Sequence, residues 1–326
     1  MKHYDIIGNF LLPESVKKAN LSYKKGIISY NKLKEAQDNA IRNLIIKQKE
    51  YEFPFIYDGH YRRENGTLDF IIPFLHVNYN EEGLFLKGPL TFKSHPLLEE
   101  FRFIHSFEDE NSHARISIPS PSTFIHIFNN KENILKYYDS LDDFNNDVIS
   151  IYRSFIKEIY HAGCRYLLLE EEALDYLEET VHINNEVIDN QPQDLIFSTH
   201  IQKNQLDYDS YNKIAAYLFT HEHVHSYYIE CDHKSSYPLA FLSHLPSDKD
   251  VILRLLVANT PFMENEEEII DRVIEASLYV PLSHLSISTR GEFDTSSLTL
   301  SEFQQWEKIQ KLKDISEKIW HTEKQS

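Results

Sequence analysis

Short apolar runs alternate with longer amphipathic segments along the chain. Eight of these runs read as strands, at 5–10, 55–59, 114–118, 164–170, 195–200, 226–231, 251–258 and 285–289. Segments such as 142–162 and 265–280 lie between them and carry apolar residues at every third or fourth position, which indicates helices. Strand followed by helix, repeated eight times, predicts an α/β fold of the (β/α)8 barrel type. Any functional site should then lie on the loops that follow the strands.

The segment 71–110 departs from this alternation because it is too long for an ordinary connection between a strand and a helix. Its alternating apolar runs flank Glu82-Gly83, a pattern that favours a β-hairpin. We therefore expect a hairpin insertion after the second strand, acting as a lid or wall of the site. No linker or internal repeat divides the rest, so 1–326 is interpreted as one barrel domain.

Charge and hydropathy narrow the classes of partner. The 326 residues include 33 Lys and Arg against 51 Asp and Glu, a formal charge of −18, which repels nucleic acid and anionic lipid surfaces. The N-terminal MKHYDIIGNF lacks the apolar core of a signal peptide, and no apolar run approaches the roughly 20 residues of a membrane span. We expect a cytoplasmic protein whose partner is a small molecule. The sequence does not indicate an oligomeric state.

One short motif matches a metalloprotease signature. His221-Glu222-His223-Val224-His225 fits H-E-x-x-H, which binds zinc when both outer histidines share one face of a helix. Here the motif runs directly into the apolar segment 226–231, so the helix should end inside it. We expect His221 at a helix end and His225 at the start of a strand, which makes the match a coincidence.

A second signal is a set of fragments in a fixed order along 5–320. They are Ile7-Gly8-Asn9-Phe10, Asp58-Gly59-His60-Tyr61-Arg62-Arg63, Ile118-Pro119-Ser120-Pro121-Ser122, Gly163-Cys164-Arg165-Tyr166-Leu167, Thr260-Pro261, Tyr279-Val280-Pro281-Leu282 and Gln305-Trp306-Glu307-Lys308. In order and spacing this set resembles the catalytic barrel of the cobalamin-independent methionine synthase family. The resemblance implies a barrel in which zinc holds a homocysteine thiolate for methyl transfer from a folate or corrinoid donor.

The resemblance places four zinc ligands, two of them cysteines. His200 and Glu230 keep the ligand types of the family, whereas the two cysteine positions carry Gln202 and Gly291. The substrate positions of the family fall on Asn9, Asp58, His60, Ser120 and Glu170; there His60 replaces a glutamate, Glu170 an aspartate and Asn9 a serine. Methyl transfer through a zinc-bound thiolate is therefore not expected, and zinc should bind more weakly than at a two-thiolate site.

The remaining polar residues still suggest a site. His60, Glu170, His200 and Glu230 follow or end predicted strands, so they should converge on one mouth. Two imidazoles and two carboxylates suit iron, manganese or hydrolytic zinc, so a divalent metal bound without thiolates is one hypothesis. Structural hydrogen bonding of the same groups is another. Three functions follow: an enzyme of altered chemistry on a small molecule, a catalytically silent binding protein, or a residual methionine synthase using water or Gln202.

Overall fold

Ten strands lie in the part of the chain that the computed structural model describes, residues 2–128, 130–203, 206–231, 238–294 and 300–321. They are β1 (Tyr4–Asp5), β2 (Phe55–Ile56), β3 (Leu75–Asn80), β4 (Gly83–Thr91), β5 (His113–Pro119), β6 (Tyr166–Glu171), β7 (Ile196–Ile201), β8 (Ser226–Glu230), β9 (Asp250–Val257) and β10 (Leu285–Arg290). All except β3 and β4 form one parallel sheet, in the order β1-β10-β9-β8-β7-β6-β5-β2.

The two ends of this sheet meet and close it. The Phe10 N–H donates to the Gly59 carbonyl at 3.2 Å, and the Tyr57 hydroxyl donates to the Gly8 carbonyl at 2.9 Å. These bonds join the loops after β1 and β2, the two shortest strands. The predicted (β/α)8 barrel is thus confirmed, and each of the eight predicted strands overlaps one strand of the sheet.

Eleven helices lie in the described residues and pack around the sheet. They are α1 (Glu14–Lys24), α2 (Tyr30–Glu50), α3 (Leu68–Ile71), α4 (Leu97–His105), α5 (Pro121–Ile127), α6 (Lys131–Ile134), α7 (Leu141–His161), α8 (Leu177–Ile188), α9 (Tyr208–His221), α10 (Glu266–Ser277) and α11 (Glu302–His321). The predicted helices 142–162 and 265–280 correspond to α7 and α10. α7 starts where Ser140 Oγ accepts the Asp143 N–H at 3.1 Å, and its buried face includes Val148, Phe155 and Ile159.

The insertion after the second strand is an antiparallel hairpin of β3 and β4, as predicted. The Leu86 N–H donates to Asn133 Oδ1 and the Leu90 N–H to the Tyr138 hydroxyl, each at 2.6 Å. Asn133 belongs to α6, and Tyr138 precedes α7. These bonds fix the hairpin against that pair of helices. Its role as a lid stays a prediction.

Apolar side chains fill two separate regions. The larger lies between the outer face of the strands and the helices. The smaller lies inside the barrel and consists of Ile7, Leu168, Tyr228 and Ile252, which we call the floor. Among the described residues, no helix combines the length and the apolar composition that crossing a bilayer requires.

Candidate functional site

Polar residues lie directly above the floor. Successive side chains of a strand point to opposite faces, so residues two positions beyond a floor residue also face the barrel interior. On β6, β8 and β9 these residues are Glu170, Glu230 and Arg254. They lie toward the carboxyl ends of their strands, the end at which barrels of this type hold their sites. We call this region the mouth.

Arg254 is the central cation of the mouth and is only 2% exposed. Its Nη1 hydrogen-bonds His200 Nε2 and also donates to Glu230 Oε1 at 3.4 Å. Its Nη2 donates to the Gly291 carbonyl at 2.9 Å, and its Nε donates to the Thr289 carbonyl at 2.7 Å. One guanidinium therefore contacts three of the four positions at which the resemblance placed zinc ligands.

This contact determines the protonation of its neighbours. A guanidinium has no acceptor, so His200 must accept at Nε2 and is neutral there. Burial and then the charge of Arg254 lower the pKa of His200, which favours the same neutral form. Burial would raise the pKa of Glu230, but its neighbours His200 and Arg254 bring it below its ordinary value. Glu230 is accordingly the anion that balances Arg254.

A row of side-chain hydrogen bonds crosses the other side of the mouth. Asn9 Nδ2 donates to Glu292 Oε2 at 2.7 Å, His60 Nδ1 contacts Asn9 Oδ1 at 2.6 Å, and His60 Nε2 contacts the Ser117 hydroxyl at 2.9 Å. We call these four residues the polar row. Asn9 Oδ1 can only accept, so His60 carries its proton on Nδ1 and accepts from Ser117. Burial, followed by the nearby charge of Arg63, lowers the pKa of His60 and keeps it neutral.

The backbone at His60 has an uncommon conformation. Gly59 and His60 both have positive φ, +63° and +61°, and the His60 N–H donates to Asp58 Oδ1 at 3.0 Å. A Cβ at position 59 would lie 2.5 Å from Leu44 Cδ2, so any other residue would have to displace the Leu44 side chain and also adopt a positive φ. Asp58, predicted to contact substrate, uses one carboxylate oxygen to hold this turn.

Three carboxylates lie around the mouth, and we call Glu170, Glu172 and Glu292 the acidic rim. Arg63 Nη1 lies 3.7 Å from Glu170 Oε1, and Gln202 Nε2 donates to Glu172 Oε1 at 3.2 Å. Burial and then the charge of Glu170 raise the pKa of Glu292 to about 6. The same two causes raise the pKa of Glu172. Glu172 and Glu292 therefore hold protons more readily than exposed glutamates do.

Other predicted residues lie elsewhere. Ser120 is fully buried, where its hydroxyl accepts the Thr123 N–H at 3.0 Å and caps α5. Its contact with substrate stays a prediction. His221 ends α9 and His225 precedes β8, as the sequence predicted. His221 Nδ1 contacts the Tyr217 carbonyl, and His225 Nδ1 accepts the Phe197 N–H, so the two rings are held apart.

The residues predicted to hold a metal do not fit one in this arrangement. Within the described ranges, no three His, Cys, Asp or Glu side chains are placed to share an ion. Both ring nitrogens of His60 belong to the polar row, and Nε2 of His200 faces a cation. The Gln202 amide is turned to Glu172, and Gly291 offers only a carbonyl, which already accepts from Arg254.

Four residues of the mouth were missed at the level of sequence: Arg63, Ser117, Arg254 and Glu292. Arg254 carried a signal, because an arginine inside the apolar run VILRLLVA must be buried with a partner. Arg63 and Glu292 lie in polar stretches of the sequence and carried no signal that separates them from surface residues. Ser117 lies in the predicted strand 114–118, and a single serine in a strand does not indicate a site.

Comparison with known proteins supports the family that the fragments suggested. No family model matches the chain. YxjG of Bacillus subtilis (strain 168), an uncharacterized protein, is 27% identical, with 97% of this chain and 94% of YxjG covered. A Listeria monocytogenes protein, provisionally described as a vitamin-B12-independent methionine synthase, has a crystal structure that matches with a TM-score of 0.81 at 28% identity over 98% of each chain.

A more distant structure agrees in fold. The B12-independent methionine synthase of Shewanella sp. W3-18-1, solved in complex with selenomethionine, matches with a TM-score of 0.73 at 17% identity over 91% of each chain. The ordered fragments, the closed barrel and these neighbours together lead to one conclusion. In sequence and in fold, the chain is similar to B12-independent methionine synthase-like barrels.

Proposed function

We propose that the protein binds and acts on a small molecule at the barrel mouth, by chemistry that does not use zinc-bound thiolate. The observation that carries the proposal is the acidic rim, which faces Arg63 and Arg254 above an apolar floor. Ionisable groups of both signs in one concavity, with shifted pKa values, are typical of functional sites. The family supports a small molecule as the ligand.

Glu292 is the residue best suited to acid–base work. Its pKa of about 6 lies close to neutral pH, so both its protonation states are accessible there. Asn9 holds one carboxylate oxygen at 2.7 Å and thereby orients the group. Its side chain reaches solvent at the mouth, where a ligand can approach. Glu292 can therefore give a proton to a bound molecule or take one from it.

The charges also indicate the chemistry of the ligand. Glu170 raises the pKa values of both Glu172 and Glu292, which means that its carboxylate repels each of theirs. A ligand with an ammonium group would relieve this repulsion, and an anionic group on the same ligand could face Arg63. We therefore expect a small zwitterion or amine.

Calorimetry on a panel of amines, amino acids and methyl donors tests the proposal. We compare the wild type with Glu292→Gln and with the control Glu50→Gln. Glu50 is exposed at the end of α2, which leads into β2 at the end of the barrel opposite the mouth. We expect the wild type and Glu50→Gln to bind the same ligand, and Glu292→Gln to bind it at least about tenfold more weakly, the effect of losing one charged hydrogen bond.

The pH dependence gives a second measurement. Since Glu292 takes up a proton near pH 6, the affinity for a cationic ligand should fall as the pH is lowered through that value. Glu292→Gln should lack this fall. Equal binding by all three proteins at all pH values would contradict the role of the rim, and the absence of binding to every compound of the panel would contradict the proposal.

A further inference from the structure

We propose that Arg254 takes the place of a metal ion in this barrel: its guanidinium, held by His200, Glu230 and Gly291, is the permanent cation of the mouth and excludes divalent metals. The inference goes beyond the proposed function, because it concerns the group that balances the negative charge of Glu230. It does not depend on whether a small-molecule ligand is found.

The first argument is the use of donor atoms. Metal binding by histidine needs a free lone pair on a ring nitrogen, and Nε2 of His200 spends its lone pair on Arg254 Nη1. Glu230 Oε1 lies 3.4 Å from the same Nη1 and 3.8 Å from His200 Nε2. The guanidinium nitrogen thus lies where an ion shared by these two side chains would have to bind.

The second argument is that Arg254 is anchored on the side away from these partners. Its Nε and Nη2 donate to the carbonyls of Thr289 and Gly291 at 2.7 and 2.9 Å. Its side chain is 2% exposed, so moving it would leave a buried charge without partners or bring it into solvent through the packed mouth. Arginine stays protonated in proteins, so a divalent cation at this place would meet a fixed like charge.

The third argument is that no described thiolate can compete with the guanidinium. Gln202 occupies the first cysteine position, and its amide bonds Glu172. Cys231 follows Glu230 directly, but the next residue of a strand faces the opposite side, and Cys231 is buried in the outer core. The donor set around Arg254 therefore contains no anionic sulfur.

A zinc titration against a chromophoric chelator tests the inference on the full-length chain. The first comparison is wild type against His200→Ala. If Arg254 excludes the metal, both proteins bind zinc equally weakly, through surface histidines alone. A loss of affinity of about tenfold or more in His200→Ala would show that His200 ligates zinc and would overturn the inference.

The second comparison restores a thiolate two residues after His200, on the same side of the strand. Three proteins are compared, all with Gln202→Cys: one keeps Arg254, one adds Arg254→Met and one adds Arg254→Lys. Methionine keeps the approximate length of the side chain and removes its charge, whereas lysine keeps the charge. We expect zinc affinity to rise at least about tenfold with methionine and to stay low with arginine or lysine. Equal affinity with arginine and methionine overturns the inference.

Circular dichroism melting establishes that each variant is folded. Should the methionine variants not fold, the comparison of wild type with His200→Ala decides by itself. Cobalt(II) gives an independent readout, because a cobalt–thiolate bond adds a charge-transfer absorption. That band should appear only in the protein that combines Gln202→Cys with Arg254→Met.

Discussion

The buried carboxyl of Glu222 is expected to make stability depend on pH, and replacing it with glutamine should remove that dependence. Glu222 is fully buried at the end of α9. The Asn184 amide donates to Glu222 Oε1 at 3.1 Å and to Glu171 Oε2 at 2.8 Å, so one amide serves two carboxyl groups. Glu222 Oε2 has no hydrogen-bond partner among the described atoms. Burial, followed by the charge of Glu171, raises the pKa of Glu222 to about 7.

The magnitude follows from the two protonation equilibria. The ordinary pKa is 4.5 and the folded value about 7. Each pH unit between them is worth about 1.4 kcal/mol, so the full effect is roughly 3 kcal/mol. The folded pKa is the higher one, so the folded state binds the proton more tightly. Its contribution is complete below pH 4.5 and is lost as the pH rises through about 7.

Urea denaturation between about pH 5 and about pH 8.5 measures this contribution as a free energy of unfolding. We expect Glu222→Gln to gain roughly 3 kcal/mol over the wild type across this range, because glutamine has no charge to bury. Glu158→Gln, at an exposed position of α7, is the matched control and should follow the wild type. A difference between Glu222→Gln and wild type that is constant with pH would refute the reasoning.

Three further predictions concern stability. Gly59→Ala should lower the free energy of unfolding by about 3 kcal/mol, because the new Cβ would lie 2.5 Å from Leu44 and φ is +63°. The control Gly66→Ala, with φ of +59° and nothing within 4 Å, should cost only about 1 kcal/mol. Equal costs would mean that Leu44 moves aside. Burial lowers the pKa of His95 from 6.5 to about 4, so the contribution of the neutral ring to stability is complete above pH 6.5 and is lost as the pH falls. From melting curves, the loss of unfolding free energy on acidification should be roughly 3 kcal/mol smaller in His95→Phe than in the wild type. Asp5→Asn should lower the free energy of unfolding by about 3–5 kcal/mol, because it leaves the Arg115 guanidinium buried without its anion. Adding Arg115→Met should recover part of this loss. If the double variant is no more stable than the single one, the ion pair is not the cause.

The barrel could be predicted from sequence because its strands are buried on both faces. Such strands appear as apolar runs, and seven of the eight predicted runs fall within one or two residues of the strand or contain it. The run 5–10 is the exception, since β1 ends at Asp5. There the Asp5 carboxylate accepts the Ile6 N–H at 2.8 Å, so this backbone donor bonds a side chain instead of a neighbouring strand.

The mouth was predicted only in part. His200 and Glu230 were expected to converge on one mouth, and His200 Nε2 lies 3.8 Å from Glu230 Oε1 because β7 and β8 are neighbours. Their actual partner comes from β9, and an apolar run with one arginine does not reveal which strand that arginine faces. The turn at Gly59-His60 was not predictable either, since it depends on the side chain of Asp58 and on the hydrogen bond from the Phe10 N–H to the Gly59 carbonyl.

The polar row also bears on how such a barrel can change its chemistry. Its hydrogen bonds run from the loop after β10, through those after β1 and β2, to β5, across the place where the sheet joins its own ends with its shortest strands. The same side chains thus act as a clasp for the scaffold. A lineage that abandons catalysis would still be under pressure to retain Asn9 and His60 for folding. If relatives retain Asn9 and His60, this would then reflect their role in closing the barrel and would not indicate activity. Activity would have to be judged from residues outside the clasp, such as Arg254.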